Sequence, residues 1–469
     1  MPPARAAAAD EAHLSWILPV LFLEFLAIAI TKSLLPERLN AFFGDNVYVW
    51  LGAGETAKGF LAFLACPMMG RLSDSTGRRP CLLFTILGTT APCWVLAFTD
   101  NLIVYIVALA ASGAAAATFT LVFAYISDVT PPSDRAAAYG SALATLGLSF
   151  TVGPPLGALL SRRVGDRRVF LVALAVALFD TFLVYGVLPE SLPPAKRHHK
   201  PMWDPRRTFQ LLEKDLYLRR VAGVVLCYYS GVWALVTTLV VYAVRVFGLS
   251  TVQVGYLLSL YGLCTMVAES VIVRYAVPLL GELPTARLGL LAFAVQCIIV
   301  AGATSPEPLF ASVALSLVSN LVYPALSALV ARRADAQEVG EALGALNGVK
   351  ALTEGVGPLG FGLVMVEFER TALPGLPYLA CAALSLLAWA LSHRLPDLQK
   401  EEDEGDEELV GLLAADDGGV AAEDAAAMEK RRLRALVAGY APPLTLSPAA
   451  FAAGGSSSSA PEREVPPAA

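Results

Sequence analysis

Twelve apolar stretches, separated by short polar breaks, constrain this chain more than any other feature of its 469 residues. A hydrocarbon core about 30 Å thick takes roughly 20 apolar residues as helix. The stretches 14-34, 47-69, 81-98, 102-126, 136-160, 168-189, 219-245, 252-275, 285-304, 308-331, 340-366 and 376-395 each read as one such crossing. The composition agrees: 56% of residues are apolar and only 16% charged, against about 25% charged in soluble domains, and the mean hydropathy is +0.61. The expected fold is an all-α membrane protein with twelve transmembrane helices in two six-helix bundles.

Charge gives the orientation. The largest interior break, 190-218, is rich in Lys and Arg and separates a first bundle, 14-189, from a second, 219-395. Arg71, Arg78, Arg79, Arg135, Arg274, Arg287, Arg332, Arg333 and Arg394 fall on the same side as that break, which places both termini, 1-13 and 396-469, in the cytoplasm. Arg162, Arg163, Arg167 and Arg168 oppose this reading, because they fall outside. The net charge of −6 owes much to an acidic run near the C-terminus, and no basic domain exists to neutralise nucleic-acid phosphates. The seven cysteines lie in or beside apolar runs without paired spacing or nearby histidines, so neither a disulfide framework nor a metal site is expected. The first apolar run leads to no small-residue cleavage site and reads as a first span. The halves also repeat: Gly140, Gly153, Pro154 and Gly157 around span 5 answer to Gly344, Gly357, Pro358 and Gly360 around span 11, three of them at a constant shift. Parallel repeats of this kind occur in transporters whose two bundles rock around a central site.

Between spans 2 and 3 runs Gly70-Arg71-Leu72-Ser73-Asp74-Ser75-Thr76-Gly77-Arg78-Arg79-Pro80. It reads as a tight turn in which Gly77 permits positive φ, Pro80 suits a first helical turn, and Asp74 meets a helix N-terminus or an arginine. This run resembles the signature loop of the major facilitator superfamily at every defined position. Gly140, Ser149, Gly153-Pro154 and Gly157-Ala158 are similar to that superfamily's antiporter motif, with Ser149 and Ala158 where glycines are usual. Taken alone, such small residues indicate close helix packing, and the same holds for Gly357, Pro358 and Gly360. Leu23-Glu24-Phe25, Phe123-Ala124-Tyr125-Ile126-Ser127-Asp128, Pro189-Glu190-Ser191-Leu192-Pro193 and Tyr323-Pro324-Ala325-Leu326-Ser327 look like the hippocampus-abundant-transcript-like branch, related to tetracycline/proton antiporters. The resemblance implies the superfamily fold and solute transport. One departure stands out: the superfamily's proton-coupling arginine in span 4, four residues before a glycine, is Leu109 before Gly113 here. Gly355-x-Gly357-x-x-Gly360 spells a dinucleotide fingerprint but follows no strand, so it carries nothing.

Charged groups in mid-span are costly, about 2.5 to 3.5 kcal/mol each on insertion scales, which makes Glu24, Glu55, Lys58, Asp180, Glu269, Lys350 and Glu354 the residues to explain; Lys32 lies near an end and can snorkel. Glu55 and Lys58 stand three apart and Lys350 and Glu354 four apart, so each pair shares a helical face. They are either self-neutralising pairs or, since spans 2 and 11 meet in the superfamily architecture, a gate in which the two lysines exchange partners. Glu24 has no basic residue within one turn and suits proton uptake and release, or a structural carboxyl held by hydrogen bonds. Asp180 and Glu269 are weaker candidates, the second with Arg274 as a partner.

Tyr228, Tyr229 and Trp233 in span 7 and Asn320 and Tyr323 in span 10 fit a cavity for a planar or amphipathic solute, or else interfacial anchors. Asp128 and Arg135 read as braces for the signature loop. Residues 396-469 change to an acidic, then Ala/Gly/Ser/Pro-rich composition typical of a disordered cytoplasmic tail. Within it Glu408, Leu412 and Leu413 have the form of an acidic dileucine signal for a sorting adaptor at an endosomal or vacuolar membrane, the plasma membrane being the alternative. Residues 421-437 form a basic amphipathic helix pattern. No catalytic residue, cofactor or metal is expected. The reading is a secondary active transporter moving a small organic solute by alternating access, coupled to protons with antiport favoured; a non-transporting receptor or trafficking protein of the same fold is the alternative.

Overall fold

Without water to bond to, a backbone in lipid must satisfy its own N–H and C=O groups, and every apolar stretch here does so as helix. The computed structural model describes residues 13-131, 135-194, 197, 215-333, 339-371 and 373-396. The first half contains α1 (Leu14–Lys32), α2 (Leu35–Phe43), α3 (Val47–Thr76), α4 (Arg78–Val95), α5 (Leu102–Ser112), α6 (Thr118–Val129), α7 (Arg135–Val164) and α8 (Asp166–Gly186). The second half contains α9 (Leu216–Phe247), α10 (Thr251–Val267), α11 (Val273–Leu280), α12 (Glu282–Ala301), α13 (Glu307–Val313), α14 (Ser316–Ser319), α15 (Val322–Arg333), α16 (Val339–Phe368) and α17 (Tyr378–Ser392). Among the described residues, nine helical runs are long and apolar enough to cross a membrane, and α17 is a shorter apolar helix.

Span 10 is broken into α13, α14 and α15, and three further expected elements take a different form. The signature stretch is not an open loop: α3 continues to Thr76, and the reversal is made by Gly77 alone, at φ 106°, before α4 starts at Arg78. Such a φ favours glycine, so one residue turns two long helices. Span 4 is interrupted: a short 3₁₀ turn, Gly113–Ala115, separates α5 from α6. Span 8 carries a π-helical turn, Ala268–Ile272, between α10 and α11.

Small residues fix how the helices meet. A Cβ on Gly113 would lie 2.2 Å from the Lys58 carbonyl oxygen, and one on Gly59 would fall 2.3 Å from the Gly355 nitrogen. The first contact seats α3 on the break in span 4, and the second brings α3 of one half against α16 of the other. In α7, Gly153 faces Ala29 and Gly157 faces the Ile30 carbonyl, while Gly140 approaches only the Glu269 carbonyl, at 3.9 Å. Gly357 lies against Ser230, and the Pro358 carbonyl lies against Gly52, whereas a Cβ on Gly360 would meet nothing within 4 Å. Gly360 therefore has no packing contact of the kind its motif suggests. Pro155 removes the N–H that would bond the Thr151 carbonyl, and Ser259 Oγ of the other half supplies the replacement at 2.6 Å. Similarly, Ser33 Oγ donates to the Pro154 carbonyl at 3.0 Å.

A methyl group at Gly157 would stand 1.8 Å from the Ile30 oxygen. Gly157→Ala is expected to cost about 1 to 3 kcal/mol by overpacking, lowering the Tm of the detergent-purified protein, and Gly360→Ala to change it by less than about 0.5 kcal/mol. Scanning fluorimetry of the two variants beside the parent checks the contrast.

Candidate functional site

The signature stretch closes into an ionic cluster at the α3–α4 corner. The Arg78 guanidinium, largely buried, donates to Asp74 at 2.8 Å, to Asp128 at 3.0 Å and to Ser73 Oγ at 2.6 Å. Asp128, at the end of α6, also accepts from Ser191 at 2.9 Å. Glu190 was expected only as part of a family-like run, yet its carboxylate accepts from the Arg78 and Arg79 backbone N–H groups at 2.7 and 3.2 Å. It thereby caps the N-terminus of α4, where a negative charge is favoured. The Arg79 side chain donates to the carbonyls of Val184 and Tyr185 at the end of α8. Gly70 packs on Thr120, and its carbonyl accepts from Ser73 Oγ at 2.6 Å, which ties it to the cluster. The Arg135 side chain lies outside the described residues, as do Glu408, Leu412 and Leu413.

Deeper in the molecule, α3 and α16 carry charges across the boundary between the halves. Lys58 Nζ lies 3.2 Å from Glu55 on its own helix and 3.1 Å from Glu354 on α16. The Lys350–Glu354 pair that four-residue spacing permits is not made, since Glu354 turns to Lys58. Lys350 Nζ instead sits 4.1 Å from the ring centre of Tyr323 and 4.9 Å from that of Tyr229, both within cation–π range. Glu269 and Glu354 are the acidic groups whose fields act on Lys350. Glu269 belongs to the π-helical turn, an irregularity frequent at functional sites, and its Oε2 is buried without a hydrogen-bond partner. It makes no ion pair with Arg274.

Around this lysine the second half is aromatic and polar. Tyr323 Oη donates to the Asn347 side chain, Asn320 donates to Thr265 Oγ1 at 3.0 Å, and Tyr229 meets Tyr323 edge to face. The buried Trp233 Nε1 has no hydrogen-bond partner among the described residues. Tyr228 is different, because its hydroxyl is spent on the Ser319 carbonyl at 2.8 Å.

Glu24 occupies the interior of the first half, 1% exposed. Thr89 Oγ1 and Thr118 Oγ1 donate to its Oε1 at 2.6 and 2.7 Å. Thr118 is the first residue of α6, so the break in span 4 is what presents it. Sequence pattern offers no sign of either threonine's role, since threonines are common in apolar helices. Asp180 of α8 is fully buried.

At the end opposite the signature cluster, a second ionic group joins the halves. Arg245, in the last turn of α9, donates to both carboxylate oxygens of Glu369, to Asn40, to the Gly44 carbonyl at 2.9 Å and to Asp45 at 3.2 Å. Arg370 also pairs with Asp45. Nothing in the sequence pattern distinguishes these charges from ordinary loop residues. Asp45 stands between α2 and α3, outside the spans. The hydrogen bond from Arg245, then the charge of Arg370, hold its carboxyl below its usual pKa.

With this geometry the comparisons with known proteins agree. The family model of the Major Facilitator Superfamily matches residues 17–358 and 221–458. The chain belongs to that superfamily and is a secondary transporter, an integral multi-pass membrane protein. It is 28% identical over 406 residues to the Hippocampus abundant transcript-like protein 1 of Homo sapiens, covering 81% of this chain and 80% of that protein. To the class C tetracycline resistance protein of Escherichia coli it is 27% identical over 386 residues, covering 79% and 94%. The solved structure of the human organic anion transporter MFSD10 (TETRAN) matches in fold with a TM-score of 0.63 at 23% identity, covering 84% of this chain and 100% of that one.

A carboxyl held below its usual pKa contributes stability that is complete above the usual carboxylate range and is lost as pH falls through the depressed value. Spin labels at the exposed positions Phe42 and Leu373 should therefore give a narrow distance distribution at neutral pH. We expect broadening when the pH is taken below the carboxylate range, and at neutral pH in Arg245→Gln. An unchanged distribution in Arg245→Gln would show that the group does not hold this end shut.

Proposed function

We propose that the protein moves a small organic solute bearing an acidic group, by alternating access coupled to protons. The observation that carries this reading is Lys350, a cation without an ion-pair partner among the described residues, seated on the rings of Tyr229 and Tyr323. A charged group kept inside a membrane protein without a fixed partner is suited to a transient one. An acid on the solute would take the free face of Lys350, with the tyrosine rings, Trp233 and Asn320 around its apolar body and Glu269 as the competing anion. Lys58 would act as the gate: parting α3 from α16 breaks its bond to Glu354 and leaves the one to Glu55 within a single helix. In this reading the Arg245 cluster closes its end of the pathway.

Glu24 is the proton-coupling group in this proposal, and the span-5 motif favours antiport. Both termini face the cytoplasm, in a plasma or endosomal/vacuolar membrane, with Glu408, Leu412 and Leu413 available to a sorting adaptor.

Liposomes containing the purified protein, offered panels of labelled organic acids, amines and sugars, test the reading. Lys350→Gln should cut uptake of an acid substrate by about tenfold to a hundredfold, the worth of a charge-assisted hydrogen bond of about 1.5 to 3 kcal/mol. Lys350→Arg should keep part of it. Glu24→Gln should abolish proton-driven uptake while solute exchange at equal pH persists. Transport confined to sugars or amines, or unaffected by Lys350→Gln, would overturn the assignment.

A further inference from the structure

Asp180 takes no part in the solute site or in either ionic cluster, yet it is the most isolated charged side chain described. It is 0% exposed, and neither of its carboxylate oxygens has a hydrogen-bond partner among the described residues. Its helix, α8, packs against α1, which carries the buried Glu24 in the same half. Glu24 is equally buried, but unevenly served: Oε1 receives the two threonine hydroxyls, and Oε2 has none.

Cations on the surrounding elements are engaged or distant. Arg79 of α4 is held by the carbonyls of Val184 and Tyr185, beyond Asp180 toward the end of α8. Lys32 lies two turns from Glu24 along α1, and its field acts on Glu55 and Cys93. Asp166, Arg167 and Arg168 stand at the start of α8, at least three turns from Asp180, and Arg162 and Arg163 are in the last turn of α7. Ser149 of α7 spends its hydroxyl on backbone carbonyls, and Cys93 of α4 accepts from Thr31.

Two ionised carboxylates cannot share an interior that holds no compensating cation. We infer that Asp180 and Glu24 form a two-carboxyl site that binds one proton, with Asp180 as the acid and Glu24 as the carboxylate. The division follows from the donors. Two hydroxyls stabilise negative charge on Glu24, and nothing stabilises it on Asp180. Because Thr118 opens α6 at the interruption of span 4, movement of that half-helix would withdraw one donor from Glu24. The proton's affinity for the pair is thereby tied to the conformation of the bundle. The inference rests on the proton-coupled reading for its purpose but not for its detection, since the proton is observable without any transported solute.

Infrared difference spectroscopy of the purified full chain tests it through the carbonyl stretch of a protonated carboxyl, identified by its shift in D₂O. The parent protein at neutral pH should show such a band. It should move when aspartate is carboxyl-labelled with ¹³C and stay when glutamate is labelled, a test that needs no substitution. Asp180→Asn should remove the band and Glu24→Gln should retain it. No band at neutral pH, a band that answers only to labelled glutamate, or one abolished by adding sodium would overturn the assignment, the last in favour of a metal-cation site. A band that behaves as expected in a protein that transports nothing would leave this pair standing and overturn the transport reading alone.

Discussion

Lys58 cannot leave the middle of α3 for water, so its charge has to be answered where it stands. The answer comes from both directions, from Glu55 along the helix and from Glu354 across the boundary between the halves. Removing one partner of a buried ionic group costs several kcal/mol, because the remaining charge is left unpaired. The backbone around it is built for this contact: Gly59 and Gly355 let α3 and α16 approach, and Gly113 lets span 4 lie against the Lys58 carbonyl. At this seam the contact between the halves therefore combines close backbone packing with a polar bond. It also leaves Lys350 without the partner that helix spacing would have given it.

The two ends of the molecule are organised differently. Arg78, Asp74, Asp128, Glu190 and Ser191 tie helices of the first half to one another, so this cluster stiffens a bundle. Arg245 and Glu369 of the second half meet Asn40, Gly44 and Asp45 of the first, so this cluster joins the bundles. A protein whose halves rock needs both kinds of contact, rigid ones within each half and breakable ones between them. Asp45, the exposed member of this group, suits the second purpose, because an ion pair open to water is weak alone.

Much of this was legible beforehand, for a definite reason. Lipid makes the length of an apolar stretch and the rarity of a charge into strong signals, so the spans, Glu24, Glu55, Lys58, Asp180, Glu269, Lys350 and Glu354 stand out without any alignment. The turn at Gly77 could likewise be read from local chemistry. What stayed hidden was of another kind. Spacing along one helix suggested Lys350 with Glu354, yet spacing knows nothing of a neighbouring helix that offers Lys58. The interruption at Gly113–Ala115 lies where span 4 meets the Lys58 backbone of α3, and the sequence there, alanines after a glycine, does not mark a break.

The sequence by itself determined the solvent this chain folds in, the helical form of its apolar stretches, and which side chains would be expensive to bury. Those are properties of single segments against a uniform apolar medium, and each segment carries its own evidence. Only the tertiary structure decided who neutralises whom: Glu354 with Lys58, Glu190 with the start of α4, Arg245 with Glu369 and Asp45, Lys350 with two tyrosine rings, and Asp180 with no hydrogen-bond partner among the described residues. Pairing is a matter of a few ångströms between residues up to 325 positions apart, and no periodicity along the chain encodes it.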